Sequence, residues 1–316
     1  MNTSIPFISD RQIAEALDFR SVAAVLGEAF ASLSEGGAAV HHRQRTDCQG
    51  LRLSTMGAVW AERGVAGVKV YPTVRGQFSF SILLFDLATN QPLAVLDGNE
   101  ITRLRTAAIT ALVASKAGPL RPRKLAVFGA GLQGRAQAEA LSGWFDFEQI
   151  ALVDPAGNPV WAETLAHKAG CPAAFTTAEA AVRDADIVVT ATRSATPVFD
   201  GAWLAPGAFV AAMGISAPKG RELDGTTMDR AGRIILEWMP QSLAEAGEVV
   251  LWEGRSSTAP FVDLPQLYAG AAPWRSEAPG ITVFKSVGVG LADVAVAQLA
   301  VSRILQREPA VEGALP

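Results

Sequence analysis

Lys124-Leu-Ala-Val-Phe-Gly-Ala-Gly-Leu-Gln-Gly134 is the stretch that decides the fold. A short apolar run, Leu125 to Phe128, ends in Gly129, Gly131 and Gly134 and opens into Arg135-Ala-Gln-Ala-Glu-Ala-Leu141, a good helix former. The pattern is strand, glycine turn, helix. The first glycine makes the tight turn, the second lets backbone N–H groups approach a pyrophosphate, and the third lets the helix pack close to the strand. The helix N-terminus adds unpaired N–H donors and a partial positive charge. Gln133, in the same turn, joins the three glycines as a candidate cofactor-binding residue.

Context strengthens this reading. Gln149-Ile-Ala-Leu-Val-Asp154 reads as the next strand, and it ends in an acid twenty positions after Gly134. A carboxylate there accepts hydrogen bonds from a ribose 2′-hydroxyl and repels a 2′-phosphate, so Asp154 favours NAD(H) over NADP(H). The bland alternative is a solvated loop carboxylate before Pro155. Further strands are expected near 173–175, 187–191, 209–213 and 234–237, with helices between them, one capped by Thr176 with Glu179. Such alternation implies a parallel sheet with right-handed crossovers, which binds ligands beyond the carboxyl ends of its strands. Thr190, Thr192, Met213 and Gly214 lie at such ends and are candidate cofactor neighbours. Residues 252–280, rich in Pro, Gly and Ser, read as an irregular excursion.

Upstream, helices are expected to start near Ser9 or Asp10 and near Asp18, the second stopped by Gly36-Gly37. Period-two alternation then marks antiparallel strands at 51–59, 67–71, 79–86 and 93–96. Asp97-Gly-Asn-Glu100 reads as a capping box for a helix to about Lys116. Arg105 falls on that helix's apolar stripe, four residues from both Ile101 and Ile109. An inward guanidinium needs an anion, either an internal carboxylate or a substrate's. Lys69, between Val68 and Val70, would by alternation face solvent if the valines face inward. The β-rich N-terminal part and the last helix lack partners unless they pack together. The expected fold is therefore α/β: a Rossmann-type doubly wound parallel sheet, residues 119–286, inserted into an α+β domain formed by 1–118 plus 287–316.

Composition narrows the function classes. The 316 residues carry a net charge of −4 and no basic run, so no nucleic-acid partner is expected. Cys48 and Cys171 are isolated, and His41, His42 and His167 form neither a metal-ligand pattern nor a triad, so no metal is expected. The N-terminus lacks a secretory pattern, and no apolar run is long enough to span a bilayer; a cytoplasmic protein without a membrane partner is expected.

Several strings together resemble the ornithine cyclodeaminase/mu-crystallin family: Arg45-Thr46, Gly67-Val-Lys69-Val, Leu84-Phe-Asp86 with Leu96-Asp-Gly98, Thr102-Arg-Leu-Arg-Thr-Ala-Ala108, the glycine turn, Pro218 through Arg221-Glu-Leu223, and Val283-Phe-Lys-Ser-Val-Gly288 with Asp293. The resemblance spans nearly the whole chain. It implies that the non-nucleotide domain binds substrate and forms a homodimer, and that Arg45, Lys69 and Arg105 hold the α-carboxylate of a small amino or imino acid. Lys69 then also becomes a candidate for charge stabilisation or proton delivery, with Asp293 a further catalytic candidate that anchors either Lys69 or a water. The family's cyclodeaminases carry an aspartate two residues before the proline of the Pro-to-Glu-Leu string, where this chain has Ser216. A hydroxyl without an adjacent base cannot take a proton near neutral pH as a carboxylate can. The resemblance therefore implies an NAD(P)H-dependent reductase of a cyclic imino acid or ketimine, of the Δ1-pyrroline-2-carboxylate type, with Ser216 a second candidate for proton handling. Ornithine cyclodeamination and a mu-crystallin-like nucleotide-dependent binding protein are the alternatives.

Overall fold

A computed structural model of the chain describes residues 4–306, so Met1–Thr3 of the N-terminal reading and the tail from residue 307 lie outside the described residues. Contacts divide the chain into two units, whose described residues are 4–105 with 289–306 and 106–288. The sequence reading divides the chain at 118/119 and 286/287 instead. The first difference arises because helix Asn99–Ala117 runs unbroken past Arg105, and its later residues bond within the second unit. The Thr106 carbonyl accepts from the Gln137 amide at 3.1 Å, and the Thr110 hydroxyl lies 3.5 Å from Met213 Sδ.

The first unit is built on one sheet of eight strands: β1 (Phe7–Ile8), β2 (Ala38–Val40), β3 (Gln44–Cys48), β4 (Leu51–Trp60), β5 (Val65–Val74), β6 (Gln77–Phe78), β7 (Ser81–Asp86) and β8 (Gln91–Asp97). The path is β1-β8-β7-β5-β4-β2, with β3 on β4 and β6 on β5. All pairs are antiparallel except β1 on β8. The two N-terminal helices, Asp10–Ala16 and Phe19–Glu35, begin at Ser9 and Asp18, each closing a capping box. Gly36 ends the second helix at φ 84°, the left-handed conformation that glycine tolerates.

Helix Gly290–Leu305 is buried along most of its length and packs on this sheet. Its approach is set by small residues. A Cβ on Gly290 would lie 2.5 Å from the Gly57 carbonyl oxygen of β4. The start of helix Asn99–Ala117 corrects the sequence reading: Asp97 does not cap it. The carboxylate of Asp10 does, accepting from the Glu100 N–H at 2.8 Å and from the Asn99 amide at 2.9 Å, while Asp97 accepts from the Asp10 N–H at 3.1 Å.

The second unit is an all-parallel sheet of β9 (Lys124–Phe128), β10 (Gln149–Val153), β11 (Ala173–Phe175), β12 (Ile187–Thr190), β13 (Phe209–Ala212), β14 (Ala231–Leu236), β15 (Phe261–Asp263) and β16 (Ile281–Lys285). Its order is β11-β10-β9-β12-β13-β16-β14-β15. The chain steps outward from β9 in both directions, which opens a crevice at the carboxyl ends of β9 and β12. The central strands Ile187–Thr190 and Phe209–Ala212 are buried throughout, as expected for a sheet covered on both faces.

Two local readings are corrected in this unit. Helix Ala178–Val182 is capped by Thr177, whose hydroxyl accepts from the Ala180 N–H at 3.3 Å, rather than by Thr176, which extends the chain beyond β11. Residues 252–280 contain β15 and helix Leu264–Tyr268, started by an Asp263 and Gln266 capping box. A three-residue strand offers too few positions for alternation to register.

Candidate functional site

In the second unit, the glycine turn has the geometry that a dinucleotide requires. Gly129 sits at φ 94°, and a Cβ there would lie 2.6 Å from the Ala191 carbonyl. On Gly134 a Cβ would fall 1.7 Å from the Gly129 carbonyl oxygen, so any side chain would force the helix off the strand. Gly131, by contrast, faces open space and starts helix Leu132–Ser142 without a side-chain cap. Its neighbouring N–H groups suit an incoming pyrophosphate. Gln133 lies in the first turn of that helix.

Asp154 follows β10 directly. Its Oδ2 accepts from the Ala130 N–H at 2.6 Å and its Oδ1 from the Ala156 N–H at 2.7 Å, fixing the carboxylate against the glycine turn. Each oxygen keeps capacity for a hydroxyl donor. Thr190 ends β12, and Thr192, Met213 and Gly214 follow the ends of β12 and β13. The Met213 N–H donates to the Thr190 carbonyl at 2.8 Å, which ties the two strand ends together. Ser216 is half-buried on the loop after β13. These groups fit a nicotinamide dinucleotide: an open helix start, a turn built on glycines and a fixed carboxylate directly after β10.

In the first unit, a second cluster forms around Lys69. Across the sheet, Met56, Lys69, Ile82 and Leu96 stand in one register row, and all four are buried. The valines beside Lys69 are only half-buried, so the face expected to meet solvent is the inner one. Lys69 Nζ lies 2.7 Å from Asp293 Oδ1 and donates to the Thr102 hydroxyl at 3.4 Å. Thr102 in turn donates to the Gly98 carbonyl at 2.7 Å. The ammonium also stands 4.8 Å from the centre of the Phe80 ring. Arg105 Nε lies 3.4 Å from the same Asp293 oxygen. Of the two readings of Arg105, the internal anion is Asp293.

Burial pushes the Lys69 ammonium down to about 8; Asp293 opposes this, while the guanidinium groups of Arg105 and Arg43 add to it. Arg43 was not singled out by the sequence reading, which chose Arg45. Arg43 Nε reaches Met56 Sδ at 3.2 Å, which puts it beside the Lys69 row, whereas Arg45 pairs with Ser54, two positions along β4 from Met56. Arg43 precedes β3, so no alternation in the sequence points to it; only its contact with Met56 does.

A family model for the ornithine cyclodeaminase/mu-crystallin family matches residues 7–308. The chain belongs to this family. The mouse ketimine reductase mu-crystallin is 34% identical over 220 residues, covering 69% of this chain and 67% of its own. Among solved structures, a probable ornithine cyclodeaminase from Bordetella pertussis Tohama I is 43% identical, with a TM-score of 0.92 and coverage of 96% of this chain and 98% of its own. The Δ1-pyrroline-2-carboxylate reductase of Thermococcus litoralis, solved with NADH and L-proline, is 25% identical with a TM-score of 0.89 and the same coverages. Family members thus include C=N reductases that use a nicotinamide cofactor and proteins named as cyclodeaminases. Among the described residues, no group of His, Cys, Asp and Glu is arranged to hold a metal ion, and no helix is long and apolar enough to cross a membrane.

Proposed function

We propose that this family member is an NADH-dependent reductase of a C=N bond next to a carboxylate, of the Δ1-pyrroline-2-carboxylate type. The observation that carries this reading is the pair of buried cations, Lys69 and Arg105, gathered on the buried carboxylate of Asp293. Buried positive charge in excess is stabilised by an anionic ligand, and a substrate carboxylate is the anion such cations bind best. Arg45, Lys69 and Arg105 remain the proposed substrate-binding residues, with Arg43 added.

When bound, NADH supplies a hydride to the imine carbon, and the substrate nitrogen must gain a proton. Lys69, with its ammonium held near neutral pH, is the proposed source of that proton or of the charge that stabilises it; Asp293 orients the ammonium. The guanidinium groups fix the carboxylate and with it the orientation of the adjacent carbon. Gly129, Gly131, Gln133, Gly134, Thr190, Thr192, Met213 and Gly214 are proposed to line the dinucleotide. Asp154 supports NAD(H) over NADP(H), because a fixed carboxylate at the ribose repels a 2′-phosphate.

Ser216 supports reduction over ornithine cyclodeamination, since this position lacks the carboxylate that the family's cyclodeaminases carry. The name of the Bordetella relative keeps cyclodeamination as the second reading. NADH oxidation with Δ1-pyrroline-2-carboxylate, run beside ammonia release from ornithine with NAD, separates the two. A homodimer through the first unit is supported by Leu51, Leu53, Val59 and Val74, exposed apolar side chains on β4 and β5. A cytoplasmic location, where NADH is at hand and cysteines stay reduced, agrees with the free thiols of Cys48 and Cys171.

A further inference from the structure

Four donors from two loops converge on one buried carboxylate, Glu222. Its Oε1 accepts from the N–H and the hydroxyl of Thr192, both at 2.7 Å. Its Oε2 accepts from the Thr190 hydroxyl at 3.0 Å and from the Gly214 N–H at 2.7 Å. Glu222 is fully buried. Thr190 ends β12, Thr192 lies two residues beyond it, and Gly214 lies two residues beyond β13. One side chain therefore ties together the carboxyl ends of adjacent strands.

The carboxylate is itself held from behind. The Glu222 N–H donates to Glu248 Oε1 at 3.0 Å, and Glu248 Oε2 lies 2.9 Å from the Lys285 ammonium at the end of β16. That ammonium donates to the carbonyl of Ile215 at 2.7 Å, next to Gly214. The Gly214 loop is thus gripped from both sides. No side chain is tolerated there, since a Cβ would stand 2.1 Å from the Thr192 carbonyl and 2.5 Å from Glu222 Oε1.

Dinucleotides lie across the crevice of such a sheet, one mononucleotide on each half. Asp154, after β10, marks the adenosine half. The loops after β12 and β13 then belong to the nicotinamide half. We propose that Glu222 is a positioning residue that fixes these two loops against the nicotinamide and so governs hydride transfer more than nucleotide affinity. This rests on the dinucleotide reading above.

The test is Glu222→Gln. An amide can accept on one side only, so its NH2 group must face the N–H of Thr192 or of Gly214, neither of which can accept. One loop loses its tether while side-chain volume is kept. Three quantities are measured: NADH affinity by titration, the anisotropy of nicotinamide emission from bound NADH, and the single-turnover rate of hydride transfer. The expected result is affinity within about threefold of wild type, anisotropy falling toward that of a mobile nicotinamide, and transfer slowed about 10- to 100-fold, as for a small misplacement of reacting groups. The anisotropy needs no substrate, so it judges Glu222 even if the imino acid is wrong.

Unchanged anisotropy and rate would overturn the role of Glu222 alone, as would an affinity loss as large as the rate loss. Wild-type protein that fails to bind NADH would overturn the dinucleotide reading and this proposal with it. If Glu222→Gln does not fold, Thr192→Val removes one of the four bonds, together with the one its hydroxyl accepts from the Ser194 N–H. It should lower the anisotropy and slow transfer about 3- to 10-fold, more than it weakens affinity; a rate loss no larger than the affinity loss would overturn the proposal.

Discussion

The Nζ of Lys69 and the Oδ1 of Asp293 stand 2.7 Å apart, although 224 positions separate them in the chain. The ammonium comes from the middle of β5 and the carboxylate from the first turn of the last helix among the described residues, which can approach the sheet because Gly67 and Gly290 leave room. Both groups are removed from water. Buried charges are kept only where they are paired, and here Arg105 shares the same anion.

Replacing Lys69 by Ala should lower kcat/KM for the imino acid by about 10²- to 10⁴-fold, the range spanned by positioned acid–base groups. NADH affinity, read by titration, should stay close to wild type. Loss of affinity together with turnover would place Lys69 in nucleotide binding instead.

Asp293→Asn removes the only carboxylate bonded to Lys69 among the described residues and leaves two buried cations unpaired with it. Breaking a buried pair this way should cost about 3–5 kcal/mol of stability. Urea denaturation at pH 7 measures it. A variant as stable as wild type would mean that the ammonium gives up its proton in the native protein at that pH.

With the Lys69 ammonium pushed down to about 8 by burial, its charged form is lost as pH rises through that value. Imine reduction should therefore fall above pH of about 8, and Lys69→Arg should move that limb upward, because a guanidinium stays charged. For stability the sign is opposite. The folded value lies below the ordinary 10.5, so the unfolded chain holds the proton more tightly between about 8 and 10.5. Burial of Lys69 destabilises the native state below that window, and the penalty lifts as pH rises through it. Lys69→Met should flatten this dependence in denaturation curves taken across the window.

Asp154→Ser should raise the ratio of kcat/KM with NADPH to that with NADH by about tenfold or more, since close like-charge repulsion of about 1.4 kcal/mol is removed. Steady-state rates with the two cofactors decide it. A ratio no better than wild type would leave Asp154 a loop carboxylate that only braces Ala130 and Ala156.

Local chemistry made much of the fold legible. Ser9 and Asp18 cap helices because the residues that answer them lie three positions away, and the glycine turn carries its strand and helix with it. Signals that depend on distant partners were not legible. Asp10 caps a helix that starts 89 residues later, so the nearer Asp97 took its place in the sequence reading. Alternation around Lys69 gave the period but not which face is covered; helix Gly290–Leu305 decides that, and it lies at the other end of the chain. Glu222 belongs to a string whose resemblance was seen, yet its role needs four donors that only the parallel sheet brings together.

The central claim is C=N reduction by NADH next to a carboxylate. It is tested most directly by NADH consumption with Δ1-pyrroline-2-carboxylate, beside ornithine with NAD and an ammonia readout. Rapid NADH loss with the imino acid, and no ammonia from ornithine, is the predicted result. Ammonia and proline from ornithine would contradict it and would mean that another group does the work of the carboxylate that Ser216 replaces.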